Sequence, residues 1–143
     1  RATGELLAAK ALVFKTQGKL QEAVNEFDNF LKANPTSPLV ETILFQKGNA
    51  LLDMQLQDEA LVALREFRGK FPQSQNATDA HLQIVRALME KGQKDPKANE
   101  EAVKELQDLL KGTPSDKNGA VAYYFLGQCY MRLNKPDEAI KAF

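Results

Sequence analysis

V-E-T-I-L-F-Q-K-G-N-A-L-L-D-M-Q-L-Q-D-E-A-L-V-A-L-R-E-F-R-G-K-F-P, from Val40 to Pro72, is the stretch whose reading decides the fold. Val40, Ile43, Leu44, Lys47, Gly48, Leu51 and Leu52 recur at helical spacing, and Ala60, Leu64, Phe67 and Phe71 do so again after a short polar break. The spacing predicts two amphipathic helices joined by a turn, with Pro72 stopping the second. Gly48 and Ala60 are small where the helices would cross, so the backbones can approach closely. Neither helix can hide its apolar stripe alone, and the pair still exposes a face. Such a unit is made to be stacked.

The unit recurs along the chain. Anchored on the small residue near the start of its second helix, it gives Ala23, Ala60, Ala102 and Ala139, separated by 37, 42 and 37 residues. The closing prolines Pro35, Pro72 and Pro114 keep the same spacing, and Ala11, Gly48, Ala87 and Gly127 mark the first helices. Four residues past each anchor stand Phe27, Leu64, Leu106 and Phe143. Markers that hold one register through four copies indicate a repeat architecture. The fold class expected is therefore all-α, an α–α superhelix (solenoid) of stacked antiparallel helix hairpins. It forms one domain over 1–143, with repeats at about 4–37, 38–74, 75–116 and an incomplete 117–143.

These residues resemble the tetratricopeptide repeat family. Tyr123, Leu126-Gly127, Tyr130 and Ala139 match its pattern in the last unit, and Phe14, Ala23, Phe27 and Pro35 match it in the first. The period departs from 34 residues because the connections after the closing prolines are longer. In N-P-T-S-P-L and F-P-Q-S-Q-N-A these connections are similar to those of bacterial envelope members, the outer-membrane assembly lipoprotein and Tol–Pal coordinator types. The resemblance implies a scaffold that binds a protein or peptide, with the cell envelope as the suspected compartment and the cytoplasm as the alternative. Chaperone-binding members hold a peptide carboxylate with lysine, arginine and asparagine on this face. Ala8, Leu12, Gln46, His81 and Val85 stand in those places, so a carboxylate clamp is not expected.

Along the chain, the first helices are expected over about Glu5–Thr16, Thr78–Lys91 and Gly119–Leu133 in the first, third and fourth units. Ser37 suits an N-cap with Pro38 at the first helical position, and Asp95-Pro96 repeats the arrangement. Within the third unit the turn G-Q-K-D-P-K-A-N-E is longer than its counterparts. The connection K-G-T-P-S-D-K-N-G is the most polar and is expected to be the most mobile.

Composition narrows the function. Of the 143 residues 43% are hydrophobic and 27% charged, as in one ordinary soluble domain. Lys+Arg 19 against Asp+Glu 19 gives a formal net charge of zero, which disfavours a nucleic-acid partner. No apolar run approaches the roughly 20 residues of a membrane span. His81 is the only histidine and has no triad or metal-ligand arrangement around it, and Cys129 reads as a buried packing thiol. Glycines are scattered, not gathered in a phosphate loop, and the acidic pairs Glu100-Glu101 and Asp137-Glu138 begin helices, where carboxylates suit the dipole. No enzyme activity, cofactor or metal is expected.

What remains is surface. The first helices of such repeats line the concave wall. In the register of the small residues that wall carries Phe45, Asn49, His81, Tyr124 and Gln128, a mixture of aromatic and amide groups suited to a peptide. Leu12, Ile84 and Leu88 divide evenly between wall and inter-repeat packing, while Glu26 and Lys104 are placed on the outer face. The alternative is a self-associating assembly element, a homo-oligomer that uses exposed apolar helix surface. The chain opens at Arg1 and stops at Phe143 inside an expected helix, as a processed or cloned fragment would. Any signal peptide or lipid anchor would then lie upstream.

Overall fold

The computed structural model describes residues 2–112 and 116–143. Among them run eight helices and no strand: α1 (Ala2–Thr16), α2 (Leu20–Ala33), α3 (Val40–Asp53), α4 (Gln57–Lys70), α5 (Ala77–Lys91), α6 (Pro96–Lys111), α7 (Asp116–Arg132) and α8 (Pro136–Ala142). Pro114, and with it the centre of the polar connection expected to be mobile, lies outside the described residues. The fold class is the one the register predicts, all-α helix hairpins of tetratricopeptide type. Two compact units divide the chain, Arg1–Ser74 and Gln75–Phe143, each holding two hairpins. The division falls between the second and third repeats.

In the first unit α1 pairs with α2, α3 pairs with α4, and α3 also packs on α2. The buried face of α2 is formed by Ala23, Val24, Phe27 and Phe30. In α4 the buried residues are Ala60, Leu61, Ala63, Leu64 and Phe67. Phe27, Phe30 and Phe67 are among the largest fully enclosed side chains, and each contributes about 1.5–3 kcal/mol by leaving water. Gly48 lies against Leu64 one turn past Ala60, and a Cβ added there would stand 2.6 Å from Leu64 Cδ2. The close approach that the small residue implied is therefore made onto a leucine.

The α1–α2, α3–α4 and α7–α8 turns share one device. Gly18, Gln55 and Asn134 have φ of 76°, 63° and 62°. Lys19, Leu56 and Lys135 each donate their N–H to a carbonyl five residues back, at 2.8–2.9 Å. This is the Schellman closure, in which one left-handed residue lets the chain reverse while pairing a carbonyl that the helix leaves unsatisfied. Glycine adopts that conformation without strain, and asparagine tolerates it.

In the second unit α5 pairs with α6, α6 with α7 and α7 with α8. The longer α5–α6 turn lacks the left-handed residue and is closed by a side chain instead. Asn99 on α6 is buried, and its Nδ2 donates to the Gly92 carbonyl at 2.9 Å. An added Cβ at Gly92 would collide with the Asn99 amide. Asn99→Ala is expected to cost about 1–3 kcal/mol by leaving the buried Gly92 carbonyl without a partner. Denaturant unfolding of Asn99→Ala beside an exposed control such as Gln93→Ala checks this, and equal stability would contradict it.

The caps agree with the sequence in part. Asp95 accepts from the Lys97 N–H at 3.1 Å with Pro96 at the first helical position, as expected. Ser37 Oγ accepts from the Leu39 N–H at 3.1 Å, which is the bond of a cap. Yet Pro38 and Leu39 form a turn, and the regular helix begins only at Val40. Pro136 opens α8 as the sequence implied.

Candidate functional site

Side chains expected on the wall are placed unevenly. Phe45 on α3 is half-buried, its ring 5.3 Å from Phe67, which in turn lies 5.7 Å from Phe71. It is partly a core residue of its own hairpin. Asn49, one turn further along the helix, is half-buried as well. Lys47 on the same helix meets Asp28 of α2 at 2.6 Å. That pair ties α3 to the preceding hairpin.

In the second unit His81 turns toward α6. Its Nε2 approaches Glu105 Oε1 to 2.9 Å, with the two side chains 14% and 15% exposed. The approach is close but not aligned as a hydrogen bond, since Nε2 has no hydrogen-bond partner. We treat it as a contact between the two helices of one hairpin. Ile84 and Leu88 are fully buried, which assigns both to packing.

Tyr124 and Gln128 on α7 are brought together. Gln128 Nε2 donates to the Tyr124 hydroxyl at 3.0 Å across one helical turn. The Tyr124 ring is 54% exposed and lies 6.2 Å from the Phe125 ring and 6.0 Å from the Phe143 ring. Phe143 in turn covers Gly127, where an added Cβ would meet its ring. Beside them, a cleft of about 250 Å³ is bounded by Tyr123, Leu126, Tyr130, Glu138, Lys141 and Ala142. In the first unit a larger cleft of about 730 Å³ lies by Gly4, Asn34, Pro35 and Leu39. Neither cleft includes a residue expected on the wall.

Among the described residues no three His, Cys, Asp or Glu side chains gather to hold a metal. Cys129 is buried, and desolvation pushes its thiol up to about 11 against the opposing pull of Arg132. A thiol so raised stays protonated at neutral pH and reacts slowly, because the thiolate is the nucleophile. Iodoacetamide at pH 8 is therefore expected to leave Cys129 unlabelled in the folded chain and to label it in denaturant. Equal labelling in both states, read by mass spectrometry, would contradict its burial. No described helix is long and apolar enough to cross a membrane.

Two family models, each described as Tetratricopeptide repeat, match residues 8–75 and 120–143, together about two-thirds of the chain. The chain belongs to the tetratricopeptide repeat family. Solved structures agree on its fold. A tetratricopeptide repeat protein from Parabacteroides merdae superposes with a TM-score of 0.82 at 20% identity, over 99% of this chain and 51% of that one. MamA from Desulfovibrio magneticus RS-1 gives 0.75 at 21% identity, over 98% and 71%. YrrB, described as a TPR protein with an unusual peptide-binding site, gives 0.74 at 19% identity, over 97% and 64%. At these identities the likeness establishes the fold alone. Among curated proteins none matches the sequence.

Proposed function

We propose that this tetratricopeptide repeat chain is a non-enzymatic scaffold whose first-helix faces hold a peptide or an extended protein segment. Phe45 and Asn49 would serve in the first unit, and Tyr124, Gln128 and His81 in the second. Tyr124 carries the reading. A large aromatic ring stands half in solvent with its hydroxyl already held by Gln128, so little rotamer freedom is lost when a partner covers it. Exposed aromatic anchors of this kind dominate the energetics of peptide and protein interfaces. His81 is the least available of the five because Glu105 stands against it. The likeness to YrrB supports a peptide ligand at the level of fold.

A bacterial cell-envelope setting is the finer part of the proposal. It rests on the N-P-T-S-P-L and F-P-Q-S-Q-N-A connections. Fractionation of cells that express the natural gene tests it, and recovery from the cytoplasm alone would overturn it.

Selection of short peptides from a displayed library on the immobilised chain tests the binding role. A selected peptide is expected to crosslink to α3, α5 or α7 when it carries a photoreactive residue. Crosslinks confined to α4, α6 or the loops, or a library that yields no binder, would overturn the assignment.

A further inference from the structure

Burial sets three of the first helices in step. Ile43 and Ala50 on α3, Ala80 and Ala87 on α5, and Ala122 and Cys129 on α7 are each 1% exposed or less, and the members of each pair stand about two turns apart. Alignment on these pairs gives Ala87 the place of Ala50, whereas the small-residue markers set it with Gly48. Arg86 then shares one helix position with Asn49 and Gln128, two residues of the proposed wall. That position holds an amide, a guanidinium and an amide, each able to donate hydrogen bonds, and no acid.

Within the second unit Arg86 is exposed, and its guanidinium lies over the Phe125 ring, 5.6 Å from the centroid, where α5 meets α7. Among the described residues no carboxylate pairs with it. Glu90, one turn further along α5, forms no ion pair with it either. An aromatic face restrains a guanidinium without spending its five N–H donors on an oxygen. The Phe125 ring in turn lies 6.2 Å from the Tyr124 ring, whose hydroxyl is held by Gln128. Through Phe125, the guanidinium and the Tyr124 ring stand no more than about 12 Å apart. An extended peptide advances about 3.3 Å per residue, so about four residues span that distance.

We infer that the second unit selects an acidic peptide, with Arg86 reading an aspartate or glutamate set within about four residues of the apolar side chain that covers Tyr124. Charge decides the occupant. A carboxylate accepts two parallel N–H bonds from one guanidinium, and a cation with no counter-ion of its own favours that ligand over a neutral side chain. Arg86 is already held against a ring, so little of its rotamer freedom is lost on binding. Arg132, the other arginine of these two helices, donates to the Met89 carbonyl at 2.6 Å and ties α7 to α5 instead. A single unpaired guanidinium matches a single carboxylate. This inference deepens the peptide-binding reading and rests on it.

Peptides selected on the immobilised chain test it, taken from those whose photoreactive residue crosslinks to α5 or α7. They are expected to carry Asp or Glu within about four residues of the apolar anchor. Replacing that acid by its amide should weaken binding about tenfold. Arg86→Gln should weaken the acidic peptide by the same factor and leave the amide form unchanged. Arg86→Glu should instead prefer a peptide with lysine at the acidic position. Arg86 is exposed, so circular dichroism of both variants should match the parent chain. The change on the peptide reads the same contact with the protein unaltered. Peptides that crosslink to α5 or α7 but carry no acid, or that bind Arg86→Gln at full affinity, would overturn this inference and leave the peptide-binding reading in place. Binders that crosslink only to α3 would overturn it as well. A library that yields no binder would overturn the peptide-binding reading and this inference together.

Discussion

Gly48→Leu is expected to destabilise the first unit by about 3 kcal/mol, the upper part of the range for overpacking a closed core. A Cβ alone would already stand 2.6 Å from Leu64 Cδ2, and Leu64 is fully buried with no free side to move into. Gly48→Ala should lose less, since a single methyl displaces less of the leucine than a whole side chain does. The two positions are in contact, so their effects should not add. Leu64→Ala in the Gly48→Leu background is expected to restore part of the loss, because it empties the space that the new side chain enters. Denaturant unfolding of the four proteins measures the coupling. Additive losses would mean that Gly48 and Leu64 do not face one another.

The second large effect is on binding. Tyr124→Ala is expected to weaken a selected peptide by about 2 kcal/mol or more, roughly thirtyfold in Kd. Its ring is half exposed and its removal opens no enclosed core, so the helical signal should be unchanged. Phe45→Ala should weaken binding as well, but its ring packs on Phe67, so some stability is lost with it. Gln128→Ala should cost less, through the loss of the hydrogen bond that holds the tyrosine. Lys104→Glu and Glu22→Lys, both on exposed second-helix surface, should change the affinity little. Glu26, placed on the outer face from register, is unsuited as such a control. Its carboxylate is largely enclosed, with Lys10 at 3.8 Å. Isothermal titration of these variants decides the matter, and full affinity in Tyr124→Ala would remove the proposed anchor.

Helix identity was legible because two independent signals agreed, the apolar period and the punctuation by proline and glycine. The 37-residue register then located Ala11, Gly48, Ala23 and Ala60, all of which are buried. Boundaries were less legible where the residues that open a helix are polar. α7 starts at Asp116 and not at Gly119, because Asp116, Lys117 and Asn118 carry no apolar residue to show a period. α3 starts later than expected because Ser37 closes a turn before the helix proper begins. Asn99 was missed altogether. Asparagine in a polar run gives no sign of burial, and only the meeting of the α5 end with α6 reveals what it holds.

The wall was read less well than the helices. Register tells which residues of a first helix share a face, but not how much of that face its neighbours cover. Tyr124 and Gln128 remain at the surface, whereas Ile84 and Leu88 on the corresponding stripe of α5 are fully buried. His81 keeps its place on α5 yet meets Glu105 of α6, a contact that joins residues 24 positions apart and has no signature in sequence. The same limit explains Leu6 and Ile140. Their types are those of core residues, yet both are exposed among the described residues.

Amide hydrogen exchange, with and without a saturating selected peptide, tests the central claim most directly. If the first-helix faces hold the partner, protection should increase in α3, α5 and α7 and stay unchanged along the exposed faces of α4 and α6. Protection that appeared instead in α4 and α6, or in the Asn34–Leu39 connection alone, would contradict the account.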